Sequence, residues 1–317
     1  MLINKTASQI VNFKNNDFYY NSAREGMYDL ISNMVKTDMI HTIFISSYIG
    51  WSPKEGSGIF DPMNKIKDLT IEYYKMKKGL EIDSKHLTDL IRNLGSDKFA
   101  VLLVNYFGFK DSNYEELVTM IKGFHGWIIE DNAHGFFTYL YSNTNRSDAT
   151  FFSLHKMFPF RSGGMLKIRN KKLLDFSYTG IDMNYTESNP WNYDIYEIAA
   201  ARRRNYLLLD EIIKNRKRDL PFEPLKNELS EGAVPQTYPI ILKKGNRNRI
   251  YEQMNDAGFG VVSLYHTLIE PLQKEVFKES LLISNHILNL PVHQDVDVSH
   301  YEEMILLLTK LCNEMNA

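Results

Sequence analysis

The chain has almost no cysteine: Cys312 is the only one in 317 residues. A lone thiol excludes an internal disulfide, cannot supply a Cys-rich zinc site, and fits a reducing compartment. Long apolar runs are missing too. No stretch approaches the ~18 uninterrupted apolar residues of a membrane-spanning helix. The start, Met1-Leu2-Ile3-Asn4-Lys5-Thr6-Ala7-Ser8, has no apolar core behind a basic segment, as a secretory leader would. The expectation is a soluble cytoplasmic protein with no membrane partner. Charge of one sign is also scarce. Lys and Arg number 37 against 39 Asp and Glu, a formal net charge of -2, so there is no electrostatic case for a nucleic-acid partner. Internal repeats and low-complexity segments are absent.

What is present is material for a buried core. Hydrophobic residues make up 44% of the chain, enough at this length for about two domains. Short β-rich runs alternate with amphipathic stretches. Strands are expected at 43–47, 71–76, 99–106, 126–130, 149–154 and 163–168, where Val, Ile, Phe and Tyr concentrate. Helices are expected at 22–36 behind the cap Ser22, at 83–94 behind Asp83, and at 112–124 behind Ser112. Strands alternating with helices predict an α/β unit on a mainly parallel sheet.

After about residue 190 the pattern changes. A long charged helix is expected near 193–217, carrying Arg202, Arg203, Arg204 and Lys214. With few aromatics interleaved, it reads as a solvated or interface helix rather than a nucleic-acid patch. Beyond Pro221 and Pro224 come a strand at 237–242, a helix at 247–256, a short strand near 260–264 and a closing helix at 299–313. That tail is expected to form a smaller α+β unit.

Three segments carry chemistry. Asn21-Ser22-Ala23-Arg24-Glu25-Gly26 opens a helix, whose unpaired N–H groups and partial positive charge suit a phosphate. Ile128-Ile129-Glu130-Asp131-Asn132-Ala133-His134 ends an apolar strand in a carboxylate, at the sheet edge where open α/β folds bind ligands. Such a carboxylate could hold a metal, act as a base, pair with a protonated pyridine nitrogen, or simply cap a helix. In Ser153-Leu154-His155-Lys156-Met157-Phe158-Pro159, followed by Gly163-Gly164, a lysine sits among apolar neighbours. Desolvation there makes an amine a usable nucleophile and proton shuttle. Ser153-x-x-Lys156 also matches the nucleophile motif of penicillin-binding proteins, but the Ser-Asp-Asn and Lys-Thr-Gly strings that reading needs do not occur.

In this order, with these spacings, the chain resembles the DegT/DnrJ/EryC1/StrS family of pyridoxal-phosphate (PLP) aminotransferases that act on sugar nucleotides. The likeness also runs through Gly79-Leu80-Glu81-Ile82-Asp83, Val104-Asn105-Tyr106-Phe107-Gly108, Arg204-Asn205-Tyr206 and Leu290-Pro291-Val292-His293. It implies the type I fold of PLP-dependent transferases, like aspartate aminotransferase. That means a large PLP-binding domain over 1–205, with a mixed, mostly parallel sheet, and a small C-terminal α+β domain over 206–317.

By the same resemblance Lys156 is the catalytic lysine that holds the cofactor as a Schiff base, and Asp131 keeps the pyridine nitrogen protonated. Ser153 with the backbone of Ala23 and Arg24 matches the phosphate cradle. His134 falls where the family often has a Gln that contacts the phenolic oxygen, and Trp51 or Tyr48 stacks on the ring. Asn184 is the candidate that reaches the partner subunit's phosphate in a homodimer with shared active sites. Glutamate is the implied amino donor and a nucleotide-linked keto sugar the acceptor, for an amino sugar of a surface polysaccharide. Arg24, Arg161, Tyr265 and His266 are candidates to read that substrate. The alternatives are a smaller ketone or a non-catalytic regulatory role. The chain departs from the family in a Ser-to-Lys spacing of three residues and in Tyr48-Ile49-Gly50-Trp51-Ser52-Pro53, where a proline-led motif is usual.

Overall fold

A computed structural model describes residues 16–181, 189–216 and 220–314. The first part of the chain runs β1 (Asp17–Tyr20), α1 (Ala23–Lys36), β2 (Thr42–Ser46), α2 (Phe60–Asn64) and β3 (Thr70–Tyr74). A two-residue pair follows, β4 (Met76–Lys77) and β5 (Glu81–Ile82), then α3 (Ser84–Leu94), β6 (Phe99–Val104) and α4 (Tyr114–Gly123). Next come β7 (Trp127–Asp131), α5 (Phe136–Tyr141), β8 (Ala149–Ser153) and β9 (Gly164–Ile168). Seven of these strands form one sheet in the order β1-β9-β8-β7-β6-β2-β3. From β3 to β8 all neighbours are parallel, while β9 joins β8, and β1 joins β9, antiparallel. The expected mixed, mostly parallel sheet is present.

Every residue of β2 and β8 is buried, which is why these strands read as unbroken apolar runs: parallel strands are covered on both faces. Being parallel, β2, β6, β7 and β8 all end at the same edge. That edge therefore collects the residues following Ser46, Val104, Asp131 and Ser153, and ligands of open α/β sheets bind there. The start of α1 is brought to the same place by β9. At Gly164 an added Cβ would lie 2.2 Å from Ala23 N, so only glycine lets the strand pass so close to the helix start. Gly163 N–H donates to Asn21 O at 2.7 Å, and Leu154 N–H to Gly163 O at 2.9 Å. Those bonds tie the first turn of α1 to the turn that follows β8. Ser22 caps α1 as expected, its Oγ accepting from Glu25 N.

The second part begins with α6 (Ile195–Asn215), then β10 (Phe222–Pro224), β11 (Thr237–Leu242), α7 (Arg247–Asp256), α8 (Lys278–His286), β12 (Ile287–Pro291) and α9 (Tyr301–Glu314). Three strands form an antiparallel sheet in the order β10-β11-β12. The boundary expected at 205/206 falls inside α6, a single 21-residue helix. The strand expected near 260–264 is one isolated bridge, Val262 with Asn289. One apolar core runs through both sheets, from Tyr20 to Cys312.

Candidate active site

A cavity of about 240 Å³ opens at the carboxyl edge of the parallel strands. Its wall takes in the first turn of α1, the segment after β2, the ends of β7 and β8, and residues 263–266 from the second part of the chain. Thus Ala23, Arg24, Trp51, Asp131, Ser153 and Lys156, read separately from the sequence, line one space.

Asp131 is the last residue of β7 and is 6% exposed. Its carboxylate takes one hydrogen bond, from Ala133 N–H to Oδ1 at 2.8 Å. Burial pushes this carboxyl above the usual aspartate range, and the Ala133 N–H and the charge of Lys156 pull it back. Lys156 ends a short 3₁₀ turn, Leu154–Lys156, directly after β8. Burial pushes its amine down, opposed by Asp131 and Glu55. The Nζ atom lies 3.0 Å from Nε2 of His134.

His134 is 3% exposed. Two rings stack with it, Phe107 at 5.8 Å and 10° and Tyr265 at 5.9 Å and 21°. Burial, and then the charge of Lys156, hold the imidazole well below its ordinary range. Ser153 closes β8, with Oγ 3.3 Å from His155 Nδ1. Arg24 turns its guanidinium to the loop after β2, with Nη1 donating to Glu55 O at 2.6 Å.

The two aromatic candidates separate. Trp51 lines the cavity and is 44% exposed. Tyr48 does not reach it. Its ring is fully buried, its hydroxyl donates to Leu264 O at 3.2 Å and accepts from Tyr265 N–H at 3.1 Å. Past β2 the chain bends at Ser47, and the Tyr48 ring packs edge-on against Tyr106 and Tyr265. Tyr265 and His266 are in the cavity wall; Arg161 is exposed and outside it. Asn184 lies outside the described residues. Glu55 escaped the sequence reading, since it belongs to no local pattern that signals a site; Phe107 lies in the Val104–Gly108 run, but nothing in that run singles out its backbone N–H, which donates to His134 Nδ1. Among the described residues, no group of three or more His, Cys, Asp or Glu could hold a metal ion, and no helix is long and apolar enough to cross a membrane.

No protein-family model and no curated protein matches the chain. Solved structures do match. Spr1654 from Streptococcus pneumoniae, described as a sugar aminotransferase and solved in its PMP form, superposes with a TM-score of 0.70 at 14% identity, over 95% of this chain and 87% of that one. GDP-4-keto-6-deoxymannose-3-dehydratase (ColD), with bound GDP-perosamine, does so at 0.68 and 14%, over 92% and 88%. A DegT DnrJ EryC1 StrS aminotransferase from Brucella abortus does so at 0.69 and 13%, over 93% and 86%. At such identities the likeness is one of fold, and the fold is type I of the PLP-dependent transferases.

Proposed function

We propose that the chain is a PLP-dependent aminotransferase that moves an amino group from glutamate to a keto sugar carried on a nucleotide. One observation carries the reading. Lys156, Asp131 and the first turn of α1 meet around a single cavity at the carboxyl edge of the parallel strands. These donors fit the cofactor. They offer a desolvated amine for its aldehyde, a buried carboxylate with one hydrogen bond for its ring nitrogen, and a helix start with Ser153 for its phosphate. When bound, PLP supplies an electron sink for the carbon that loses its proton.

The protein's own groups do the rest. Lys156 binds the cofactor and carries the proton between substrate carbon and cofactor. Asp131 keeps the ring nitrogen protonated, and Trp51 covers one face of the ring. Ser153 and the N–H groups of Ala23 and Arg24 hold the phosphate, and His134 contacts the phenolic oxygen. Arg24, Tyr265 and His266, at the cavity wall, are the proposed readers of the acceptor. ColD, the neighbour with bound GDP-perosamine, supports a nucleotide sugar. The reading includes a large domain over 1–205 and a small one over 206–317. It also includes a cytoplasmic homodimer with shared sites, in which Asn184 reaches the partner's phosphate, and a product destined for a surface polysaccharide.

The size of the cavity favours a second acceptor. At about 240 Å³ it falls below the ~300–1,000 Å³ of usual ligand pockets, which suits a smaller ketone. Borohydride reduction of the PLP-loaded protein followed by peptide mapping is expected to find the pyridoxyl group on Lys156; finding it on Lys167 would overturn the site. Glutamate is expected to bleach the cofactor's absorption band, and a panel of UDP-, dTDP- and GDP-linked keto sugars to restore it. Bleaching that only small 2-oxo acids reverse would leave the aminotransferase and remove the sugar. Sedimentation as a monomer with cofactor bound would remove the shared site.

A further inference from the structure

The hydrogen-bond partners of His134 determine more than its position. Nδ1 accepts the backbone N–H of Phe107 at 3.3 Å. A nitrogen that accepts carries no proton, so a neutral imidazole here must carry its proton on Nε2. Nε2 is the atom that faces Lys156 Nζ at 3.0 Å and the Tyr265 hydroxyl at 3.3 Å.

The Phe107 amide cannot turn away. Its peptide plane is held from the other side, where Tyr106 O accepts Phe109 N–H at 3.0 Å. Phe107 itself has φ +57°, and its own carbonyl accepts Gln236 N–H at 2.8 Å. The next residue, Gly108, has φ +88°, and a Cβ there would lie 2.7 Å from Val234 O and 3.1 Å from His134 O. The turn is therefore fixed between residues 234–236 and His134, with the amide aimed at the imidazole.

We propose that Phe107 locks His134 as a fixed, neutral Nε2–H donor, and that this donor holds the Lys156 amine in its uncharged, reactive form. An ammonium has three hydrogens to donate and no lone pair. Set against an Nε2–H, it would bring hydrogen against hydrogen, whereas a neutral amine accepts that hydrogen. Burial already pushes this amine down, while among its charged neighbours Asp131 and Glu55 favour the ammonium and Arg24 opposes it. His134 adds a directional contact, at 3.0 Å, on the side of the neutral amine. The inference deepens the proposed function and rests on its choice of Lys156 as the reactive amine. Phe107 and His134 act here as positioning residues.

Nitrogen NMR of histidine-labelled, cofactor-free protein tests the lock, with the His134 signal assigned by its loss in His134→Gln. The expected result is an Nε2–H tautomer that does not take a second proton between about pH 5 and pH 8, the range in which an ordinary imidazole titrates. An Nδ1–H tautomer, or ordinary titration, would overturn the proposal. Competitive labelling with acetic anhydride reads the neutral fraction of Lys156. Gln carries an acceptor and a donor on one amide, so it can take the Phe107 N–H and still offer N–H to the amine; Leu can do neither. Near neutral pH, His134→Leu is expected to slow Lys156 labelling about tenfold, one pKa unit, and His134→Gln by less than about threefold. Equal rates in wild type and the Leu variant would refute the effect on the amine. Borohydride mapping is independent of both measurements. A protein that keeps the tautomer but does not take PLP on Lys156 loses the aminotransferase reading alone.

Discussion

Glu130 and Asp131 are neighbours on one strand, chemically alike and both buried, yet β7 turns them to opposite faces. On one face Glu130 is enclosed by donors. Tyr114 OH donates to Oε1, and the side-chain amides of Asn105 and Asn132 each donate to Oε2 at 3.1 Å. On the other face Asp131 receives a single N–H and borders a cavity. The first carboxylate is consumed by the protein's own structure; the second keeps acceptor capacity for something that is not protein. A buried charge with unfilled capacity costs stability, and that difference supports the role proposed for Asp131 rather than Glu130.

Substitutions can break this contrast. Asp131→Ala is expected to lower kcat about 10³-fold, the scale of losing one preorganised charge contact. The unfolding midpoint near neutral pH should not fall. A large drop in stability with activity retained would place Asp131 with the structural carboxylates. Glu130→Ala should behave the other way, leaving Asn105, Asn132 and Tyr114 without their acceptor. The expected loss is about 3 kcal/mol in denaturant unfolding, with near-normal turnover in the folded fraction. Tyr114→Phe removes one donor to the same network and should cost about 1 kcal/mol.

The smallest expected effect is a slope. Burial raises the Asp131 carboxyl, so the folded, cofactor-free protein binds this proton at pH values where the unfolded chain has released it. Stability must then fall as pH rises through that interval, and the cost disappears on acidification. The difference in stability between wild type and Asp131→Asn should therefore favour wild type progressively as pH falls from neutral toward the ordinary aspartate range. A difference independent of pH would show that burial does not dominate this group.

Much of the first part was legible. β7 and β8 read as apolar runs ending in polar residues, and Ser22 and Asp83 cap the helices expected behind them. Local signals failed where tertiary context decides. Phe136-Phe137-Thr138-Tyr139-Leu140-Tyr141 has the composition of a strand and forms α5, with Phe136, Phe137, Thr138 and Tyr139 buried. The four residues of β1 are too short for a period, and their pairing partner β9 lies far along the chain. At the site, Asp131 and Lys156 were visible as motif residues. The contact of Tyr265 with His134 spans 131 positions, and nothing in either segment announces it. That Trp51 and not Tyr48 lines the cavity depends on which way the chain leaves β2, which composition does not encode.

Arg202 lies in the middle of α6 and is 3% exposed. Its Nε donates to Gln294 Oε1 at 3.0 Å, its Nη2 to Met157 O at 3.4 Å, and its guanidinium stands 5.3 Å over the Phe137 ring. One buried cation thus fastens the turn beyond Lys156, through a helix, to the stretch after β12. An apolar core among the described residues is also common to both sheets, so the C-terminal sheet is expected to melt together with the other. Heating should give one calorimetric transition rather than two. The amide hydrogens at the centre of α6 should be among the last to exchange with solvent, released only when the whole molecule opens.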